Sequence, residues 1–232
     1  MCGIAGYVGD RESADVLVDA LSKLEYRGYD SAGIAVFDHG NIKVKKCKGR
    51  LANLVEKMDE EGKPQGHVGI GHTRWATHGE PSDINSHPHG NKRVTIVHNG
   101  IIENYKKLKD FLIGEGYSFA SETDTEVAAK LLDYYYDGDP MKTIAKVLSE
   151  IKGSYALGIM FRDFPDEIFA VRKDSPLIVG VGEHENFIAS DVPAIIHYTR
   201  DYYLLDQNEI AVIKKDSVKI LSLIHISEPT RP

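Results

Sequence analysis

The first hundred residues alternate between short apolar runs and polar turns, which predicts several strands and one early helix. The helix is indicated between Ala14 and Leu24, where apolar positions recur at helical spacing, and Gly28 follows as a stop signal. The tetrapeptide DHGN between two apolar runs is typical of a β-hairpin. The predicted strands in this part cover residues 3–8, 32–37, 42–47, 68–73 and 94–99.

Residues 78–92 have no apolar periodicity and are rich in Gly, Pro and His. This composition predicts a long loop between the strands 68–73 and 94–99. Because long loops inside compact domains usually carry function, we expect functional residues in this segment.

The rest of the chain changes from helices to short strands. Polar or Pro-containing starts predict helices at about 105–115, 124–137 and 140–152. Short apolar runs predict a short helix near 192–198 and strands at 155–161, 167–172, 177–182, 186–190, 202–205, 209–213 and 218–221. Strands on both sides of a central block of helices favour an α+β fold, with mostly antiparallel stacked sheets covered by helices.

The composition is that of an ordinary globular domain and argues against several kinds of partner. The chain has 232 residues, of which 42% are hydrophobic, and a net charge of -7. This acidic balance gives no basis for binding nucleic acid or an anionic membrane, since both require clustered Lys and Arg. No apolar run approaches the roughly 20 residues of a membrane span and no signal peptide is recognisable, so we expect a cytoplasmic protein.

Two cysteines, Cys2 and Cys47, are too few for a disulfide framework or a cysteine zinc site. Cys47 lies in an alternating run and is predicted to be a half-buried strand residue. Cys2 directly follows the initiator Met and precedes Gly3. Because Met before a small residue is commonly removed, we expect Cys2 to become the N-terminal residue.

An N-terminal cysteine combines a nucleophile and a base in one residue. An α-amine, with an ordinary pKa of about 7.7 to 8.0, is partly unprotonated at neutral pH and can take the thiol proton, most easily through a bridging water. The strand that begins at Gly3 would hold this terminus in place. Cys2 is therefore a candidate nucleophile, although a single cysteine at this position is also consistent with chance.

Asn99 and Gly100 offer donors for the oxyanion that a thiol attack on a carboxamide generates. Asn99 has a side-chain NH2 group, and a ligand can come close to the N–H of Gly100 because this residue has no Cβ. An Asn-Gly pair is also common in turns, and that interpretation stays open.

The motifs GHTRWATHGEPS and SETDTEV contain groups that fit an amino-acid ligand. Arg74 can hold a carboxylate by two parallel hydrogen bonds, and Trp75 can form an apolar wall. Thr77 and His78 supply further polar atoms. Asp124, at a predicted helix start, either caps the helix or faces an ammonium group. Together with an oxyanion hole, these groups describe a pocket for L-glutamine.

A metal site must be considered because five of the ten histidines lie in this central segment: His72, His78, His87, His89 and His98. Their spacing matches no zinc pattern, and no second cysteine is close to Cys2 in the sequence. We therefore predict neither a metal nor a cofactor. His87 and His89 are predicted to order the loop or to line the pocket.

Five motifs in order carry a family resemblance: MCGI, EYRGYDSAGIAV, GHTRWATHGEPS, HNGIIENY and SETDTEV. From residue 1 to about 220 the chain resembles the glutaminase domain of the glutamine:fructose-6-phosphate aminotransferases, which are class II glutamine amidotransferases. YRGYDS and TRWATHG are more similar to this family than to the related amidophosphoribosyltransferases and asparagine synthetases.

The resemblance implies a four-layer αββα sandwich of the N-terminal nucleophile hydrolase type. It implies that Cys2 is the nucleophile and that Asn99 and Gly100 form the oxyanion hole. The substrate-binding residues that it implies are Arg74, Trp75, Thr77, His78 and Asp124. Arg27 and His87 are the implied supporting residues, and the segment RWATHGEPS is the implied lid over glutamine.

In the family that the chain resembles, ammonia passes to a C-terminal pair of sugar isomerase domains, where fructose 6-phosphate becomes glucosamine 6-phosphate. No such domains are recognisable here, so we expect glutamine hydrolysis alone from this chain and a homo-oligomer for the intact protein. Residues 221–232 break the preceding pattern and resemble translated sequencing-adapter sequence, and we expect them to be non-native.

Three alternatives stay open. The chain could be the glutaminase domain of another class II amidotransferase, or a sensor that binds glutamine without turnover. A papain-like cysteine protease would use the same nucleophile, but it normally pairs that cysteine with a histidine and does not place it first in the mature chain.

Overall fold

Two antiparallel sheets form the centre of the fold in the computed structural model, which describes residues 2–75, 79–91, 93–207 and 209–223. The α-helices within these residues are α1 (Ser13–Ser22), α2 (Leu51–Glu61), α3 (Tyr105–Gly114), α4 (Asp124–Tyr135) and α5 (Pro140–Glu150). The strands are β1 (Gly3–Val8), β2 (Ser31–Asp38), β3 (Asn41–Lys48), β4 (Val68–Arg74), β5 (His89–Gly90), β6 (Val94–Ile102), β7 (Gly153–Phe161), β8 (Ile168–Lys173), β9 (Ile178–Val181), β10 (Asn186–Ala189), β11 (Asp201–Leu204), β12 (Glu209–Lys214) and β13 (Ser217–Ser222).

The first sheet has the strand order β11-β9-β10-β1-β4-β2-β3, and the second has the order β13-β12-β8-β7-β6-β5. Neighbouring strands pair antiparallel in both sheets. Strands β1 and β4 lie side by side near the middle of the first sheet, and β6 and β7 pair within the second. The sequence motifs of interest lie on β1, β4 and β6 or directly beside them.

Three hydrophobic clusters define four layers. Helices α1 and α2 cover the outer face of the first sheet, where Leu17 and Leu54 pack with Tyr7. Helices α3, α4 and α5 cover the outer face of the second sheet. Between the sheets, residues such as Ile70 and Val97 form the third cluster. Each sheet therefore buries both faces, and the predicted αββα sandwich is confirmed.

Most predicted elements form close to their expected bounds. The hairpin is confirmed: β2 and β3 pair from Ser31↔Lys48 to Asp38↔Asn41. Cys47 lies on β3 as predicted, and it is buried rather than half-buried. Helix α1 ends at Ser22 instead of Leu24, and the chain continues into a short 3-10 helix, Glu25–Arg27.

Helix α2 was not predicted, although its sequence carries the signal. Leu51, Leu54 and Met58 recur at helical spacing and are its buried residues, while the rest of the helix is mostly charged or polar. Its narrow apolar stripe suffices because α2 covers only the β2–β3 edge of the first sheet.

The predicted loop 78–92 contains one short strand, which corrects the sequence prediction. His89 and Gly90 form β5 and pair with Ile96 and Thr95 of β6. Two residues are too few to show periodicity, so only the partner strand defines this element.

At the C-terminal end of the described residues, β13 pairs Leu221 with Ile210 and Ser222 with Glu209. Paired strand therefore continues two residues past the predicted boundary near 220. Among the residues that the structure describes, no helix has the length and hydrophobicity needed to cross a lipid bilayer.

Candidate active site

A cavity of about 500 Å³ opens where β1, β4 and β6 come together. Its wall contains residues from the sequence motifs and from segments far from them in the chain. They are Cys2, Arg27, Arg74, Trp75, His87, His98, Asn99, Gly100, Ile101, Thr123, Asp124, Thr125, Ser154, Ser175 and Pro176.

Strand pairing in the first sheet brings the first residues of the chain to the end of β4. Gly3 of β1 pairs with Thr73, so Cys2 lies beside Arg74, the last residue of β4. The second sheet contributes Asn99 and Gly100 from β6. Three motifs separated by more than twenty residues each thus line one cavity because their strands neighbour one another in the sandwich.

The thiol of Cys2 contacts the backbone of Trp75. Its Sγ accepts a hydrogen bond from the Trp75 N–H at 3.2 Å and lies 3.4 Å from the Trp75 carbonyl oxygen, to which the thiol can donate. Burial raises the pKa of the Cys2 thiol, although the Trp75 N–H and the nearby Arg74 act in the opposite direction. The thiol is therefore protonated at neutral pH, and a nucleophilic role requires a base.

The nitrogen and the oxygen of the Asn99 carboxamide contact different residues. Its Nδ2 donates to the carbonyl oxygen of Cys2 at 3.2 Å, and its Oδ1 lies 3.0 Å from Nε2 of His72. Because the amide nitrogen carries two hydrogens, the bond to Cys2 uses only one of them.

Gly100 is in a conformation that other residues rarely adopt. Its φ is +122°, and a Cβ at this position would lie 2.1 Å from the carbonyl oxygen of Ser154 on the paired strand β7. Both the backbone angle and the neighbouring strand therefore require glycine here. The pair Asn99-Gly100 lies inside β6, so the alternative of a simple turn is wrong.

Arg74 and Asp124 place opposite charges in the same cavity wall, and both residues are buried. Nη2 of Arg74 donates to the carbonyl oxygen of Gly79 at 3.0 Å. Oδ2 of Asp124 accepts the N–H of Ile102 at 2.8 Å. Asp124 does not cap α4, because Thr123 is the N-cap residue and accepts the N–H of Glu126. Of the two roles left open for Asp124, capping is thus excluded.

Arg27 and Trp75 form the outer wall. Nη1 of Arg27 donates to the Ser190 carbonyl oxygen at 3.4 Å and to the carboxylate of Asp191 at 3.3 Å. The Trp75 side chain is 54% exposed, and its ring lies over Gly28, where φ is +86° and a Cβ would be 2.5 Å from Cε3 of the ring. The Trp75 ring thus lies at the rim of the cavity, and it needs glycine beneath it.

Thr77 and His78, which the sequence assigns to substrate binding, lie outside the described residues, and the same holds for the middle of the segment proposed as a lid. Nothing in the structure bears on these predictions.

Four histidines are buried close together at the cavity: His72, His87, His89 and His98. Two of them, His87 and His98, are part of its wall. The rings of His72 and His87 meet edge to face with centroids 4.1 Å apart, and His87 and His89 do so at 4.9 Å. Burial lowers the pKa of His72 to about 3 and lowers the pKa values of His87 and His89 well below their ordinary range. In the described parts of the chain, no three His, Cys, Asp or Glu side chains are arranged to hold a metal ion.

These buried neutral histidines should make the protein acid-sensitive. An unfolded His binds a proton at about pH 6.5, whereas folded His72 does so only near pH 3, so the unfolded state takes up more protons as the pH falls below about 6.5. We expect the free energy of unfolding to fall from pH 7 to pH 5, by about 2 kcal/mol from His72 alone. Urea unfolding at both pH values measures this, and His72→Leu should remove part of the slope. Equal stability at pH 7 and pH 5 would contradict the prediction.

Lys46 holds the segment that carries His87, and sequence reasoning missed it. Its Nζ donates to the carbonyl oxygens of Ser86, Ile84 and Pro88 at 2.8, 3.2 and 3.3 Å. Burial lowers the pKa of this ammonium to about 8. A lysine in an alternating strand pattern carries no signal of such a role, because the three acceptors come from a distant loop.

Other cavity residues that the sequence did not single out are Ile101, Thr123, Thr125, Ser154, Ser175 and Pro176. Ser175 and Pro176 lie in the loop between β8 and β9. Only the position of that loop beside the cavity identifies them, and no local pattern does.

The chain belongs to the glutamine amidotransferase domain family, whose model matches residues 72–197. Among curated relatives, a glutamine–fructose-6-phosphate aminotransferase (isomerizing) of Caldanaerobacter subterraneus subsp. tengcongensis is 60% identical over 96% of this chain and 37% of its own length. The enzyme of the same name from Clostridium tetani is 59% identical over 95% of this chain and 36% of its own length. The chain therefore spans little more than a third of these relatives.

The fold is also similar to a solved glutamine phosphoribosylpyrophosphate amidotransferase from B. subtilis, complexed with ADP and GMP. The TM-score is 0.83 at 27% identity, over 96% of this chain and 49% of that chain. These findings confirm the predicted family resemblance, which is to the glutaminase half of the aminotransferases, and the predicted fold class.

Proposed function

We propose that this domain hydrolyses L-glutamine to glutamate and ammonia, with Cys2 as the nucleophile. The observation that carries the proposal is that one cavity wall contains the Cys2 thiol, the Asn99 carboxamide, the Arg74 guanidinium and the Asp124 carboxylate. These four groups match the four features of glutamine at which recognition or reaction must occur: the amide carbon, its oxygen, the α-carboxylate and the α-ammonium.

In this proposal Arg74 binds the α-carboxylate through two parallel hydrogen bonds, and Asp124 with the Gly100 carbonyl binds the α-ammonium. Burial of Arg74 and Asp124 strengthens both interactions, since little water competes. Trp75 covers the ligand, and Arg27 supports the cavity wall near Cys2. Thr77 and His78 stay predicted contributors, and RWATHGEPS a predicted lid, on the strength of the resemblance.

The reaction proceeds in two steps. Sγ of Cys2 attacks the amide carbon while the thiol proton passes through water to the α-amine of Cys2, which requires that Met1 has been removed. Collapse of the tetrahedral intermediate breaks the C–N bond, and the ammonium of Cys2 returns a proton to the leaving NH2 group, which departs as ammonia. Water then hydrolyses the γ-glutamyl thioester to glutamate and free thiol.

The negative oxygen of the tetrahedral intermediate is held by the second hydrogen of Asn99 Nδ2 and the N–H of Gly100. The contact of Asn99 with the Cys2 carbonyl already turns this amide toward the nucleophile. Such donors act most strongly when they are fixed before the reaction begins, which is the case for residues inside β6.

For the intact protein we propose the activity that its relatives' name states: transfer of the released ammonia to fructose 6-phosphate, forming glucosamine 6-phosphate. Identity near 60% over almost the whole chain supports this choice over another class II amidotransferase. Residues 1–220 would be the glutaminase domain, the sugar-phosphate site would lie in a part of the protein outside this chain, and the intact protein would be a homo-oligomer.

A glutamine analogue that carries a diazoketone in place of the amide should alkylate Cys2 and leave Cys47 unmodified. Burial raises the pKa of both thiols, but Cys47 has no α-amine of its own to take the proton, and it lies on β3 away from the cavity wall, so it has neither the base nor the access. Intact-mass and peptide mass spectrometry measure the adduct, and the unlabelled protein should lack Met1. A label on Cys47, or active protein that retains Met1, would contradict the mechanism.

The same preparation distinguishes the alternatives. Incubation with glutamine should release glutamate and ammonia in equal amounts. A sensor would bind glutamine and release neither product, and a cysteine protease would cleave unstructured peptides but not free glutamine.

A further inference from the structure

Along the cavity wall, a continuous series of buried polar contacts connects Asn99 to His98 through His72, His87 and Thr125. Of these side chains, His72 alone lies behind the wall. Nε2 of His72 lies 3.0 Å from Oδ1 of Asn99, and Nδ1 of His87 lies 3.0 Å from Nδ1 of His72. Nε2 of His87 lies 2.8 Å from Oγ1 of Thr125, which in turn lies 2.9 Å from Nδ1 of His98. The members come from β4, β6, α4 and the loop before β5, so only the tertiary structure forms the series.

The proton position on His72 follows from its two oxygen neighbours. Its Nε2 lies 3.0 Å from Oδ1 of Asn99 and 3.0 Å from the backbone carbonyl oxygen of His98. A backbone carbonyl can only accept, so Nε2 must carry the proton whichever way the Asn99 amide is turned. Donation to Asn99 then requires that the oxygen of its carboxamide faces His72 and its nitrogen faces Cys2.

The next contact fixes the tautomer of His87. Burial keeps His72 neutral, so its Nδ1 carries a lone pair and no proton. Nδ1 of His87 is nearly equidistant from the two ring nitrogens of His72, at 3.0 Å from Nδ1 and 3.2 Å from Nε2, and the two rings meet edge to face. It therefore lies over the face of the His72 ring, which is negative and attracts an N–H but repels a lone pair. His87 is therefore protonated at Nδ1, and its Nε2 is an acceptor.

Thr125 and His98 complete the sequence of donors. The hydroxyl of Thr125 donates its single hydrogen to Nε2 of His87, so Thr125 can only accept from His98. His98 is then protonated at Nδ1. All donors run in one direction, from His98 through Thr125, His87 and His72 to the oxygen of Asn99.

We propose that His72, His87, Thr125 and His98 form a one-way hydrogen-bond relay that holds the Asn99 carboxamide with its NH2 group toward Cys2. The relay rests on the proposed function, since it acts only by orienting an oxyanion donor. These are positioning residues for the step in which the tetrahedral intermediate forms. Without the donor on His72, the amide keeps only its donation to the Cys2 carbonyl, so it turns over more readily and its oxygen can then face the developing negative charge.

The positive and titratable groups around the relay favour this neutral arrangement. Burial is the largest cause of the lowered pKa of His87, and the neighbouring histidines of β4, β5 and β6 and then Arg74 act in the same direction. For His72, burial is the largest cause, and Arg74 and His98 act in the same direction. If His87 carried protons on both ring nitrogens, its Nε2 would donate to the Thr125 hydroxyl instead of accepting from it. The donors would then no longer run in one direction.

Two substitutions of His72 distinguish an effect on the orientation of the Asn99 carboxamide from an effect on the stability of the fold. His72→Leu keeps a buried side chain of similar size without a donor, and we expect kcat for glutamine hydrolysis to fall by about 10- to 100-fold with KM nearly unchanged. His72→Gln restores an amide N–H near the position of Nε2 and should recover much of this loss. His89→Leu is the matched control, because His89 is buried in the same cluster and touches the ring of His87, but its side-chain hydrogen bond goes to Thr123, which is not a member of the relay.

A double variant of His72 and Asn99 tests whether the relay acts through Asn99. In protein that already carries Asn99→Ala, His72→Leu should lower kcat no further, because the group that it orients is gone. The relay would be overturned if the two substitutions lowered kcat independently in the double variant. It would also be overturned if His72→Leu and His89→Leu lowered kcat equally. If Cys2→Ala retains turnover, the proposed function itself fails; if Cys2→Ala is inactive while His72→Leu has normal kcat, only the relay fails.

Nitrogen NMR of histidine-labelled protein tests the proton positions without any substitution. We expect His72 as the Nε2–H tautomer and both His87 and His98 as Nδ1–H tautomers at pH 7. His72 protonated at Nδ1, or His87 at Nε2, would contradict the relay directly.

Discussion

Replacing Cys2 by Ala is expected to lower glutamine hydrolysis by at least about 10⁴-fold while leaving glutamine bound. The loss is large because the nucleophile takes part in both steps and no other described side chain in the cavity wall is a thiol. Binding should persist because Arg74 and Asp124 stay in place. Coupled assay of glutamate, with calorimetric titration of glutamine, measures the two effects separately.

Cys47→Ala is the matched control for this experiment. Cys47 is the other cysteine of the chain, and it lies buried in β3 among residues that pack under α2. We expect activity like that of the unmodified protein, with a modest loss of stability. If Cys2→Ala still turned over glutamine at an appreciable rate, the thioester mechanism would have to be abandoned.

Replacing Asn99 by Ala should lower kcat by about 10²- to 10³-fold with a much smaller effect on KM. The carboxamide nitrogen is expected to bind the substrate oxygen only when that oxygen carries negative charge, so its removal raises the energy of the transition state more than that of bound glutamine. Steady-state kinetics on glutamine give both parameters. The Gly100 N–H would still donate to the oxyanion, which is why activity should not disappear completely.

Asn104→Ala provides the corresponding control in the same region. The Asn104 side chain donates to the Glu150 carbonyl oxygen and accepts the Lys152 N–H, both at 2.8 Å, and it is not in the cavity wall. We expect a lower unfolding temperature and normal kcat. An equal loss of kcat in the two variants would mean that Asn99 acts through the fold and not on the oxyanion.

Local sequence signals predicted most of the elements and several of the cavity residues. The hairpin at DHGN and the apolar spacing of α1 depend on interactions within a few residues, and such interactions leave a periodic pattern. Where the pattern was weak, prediction failed: α2 buries a narrow stripe, and β5 consists of two residues paired to β6. For Asp124 the sequence allowed two roles, and the cap formed by Thr123 excluded one of them.

By itself, the sequence determined which chemical groups are present and on which elements they lie: a thiol before a strand, an Asn-Gly pair, an arginine at a strand end and an aspartate at a helix start. The tertiary structure alone decided that these groups meet, because their separations along the chain are bridged by the pairing of β1 with β4 and by the stacking of the two sheets. It also decided the surroundings of His72, Lys46 and Thr125. Their partners come from distant segments, and a hydrogen bond between such segments leaves no periodic trace in the sequence.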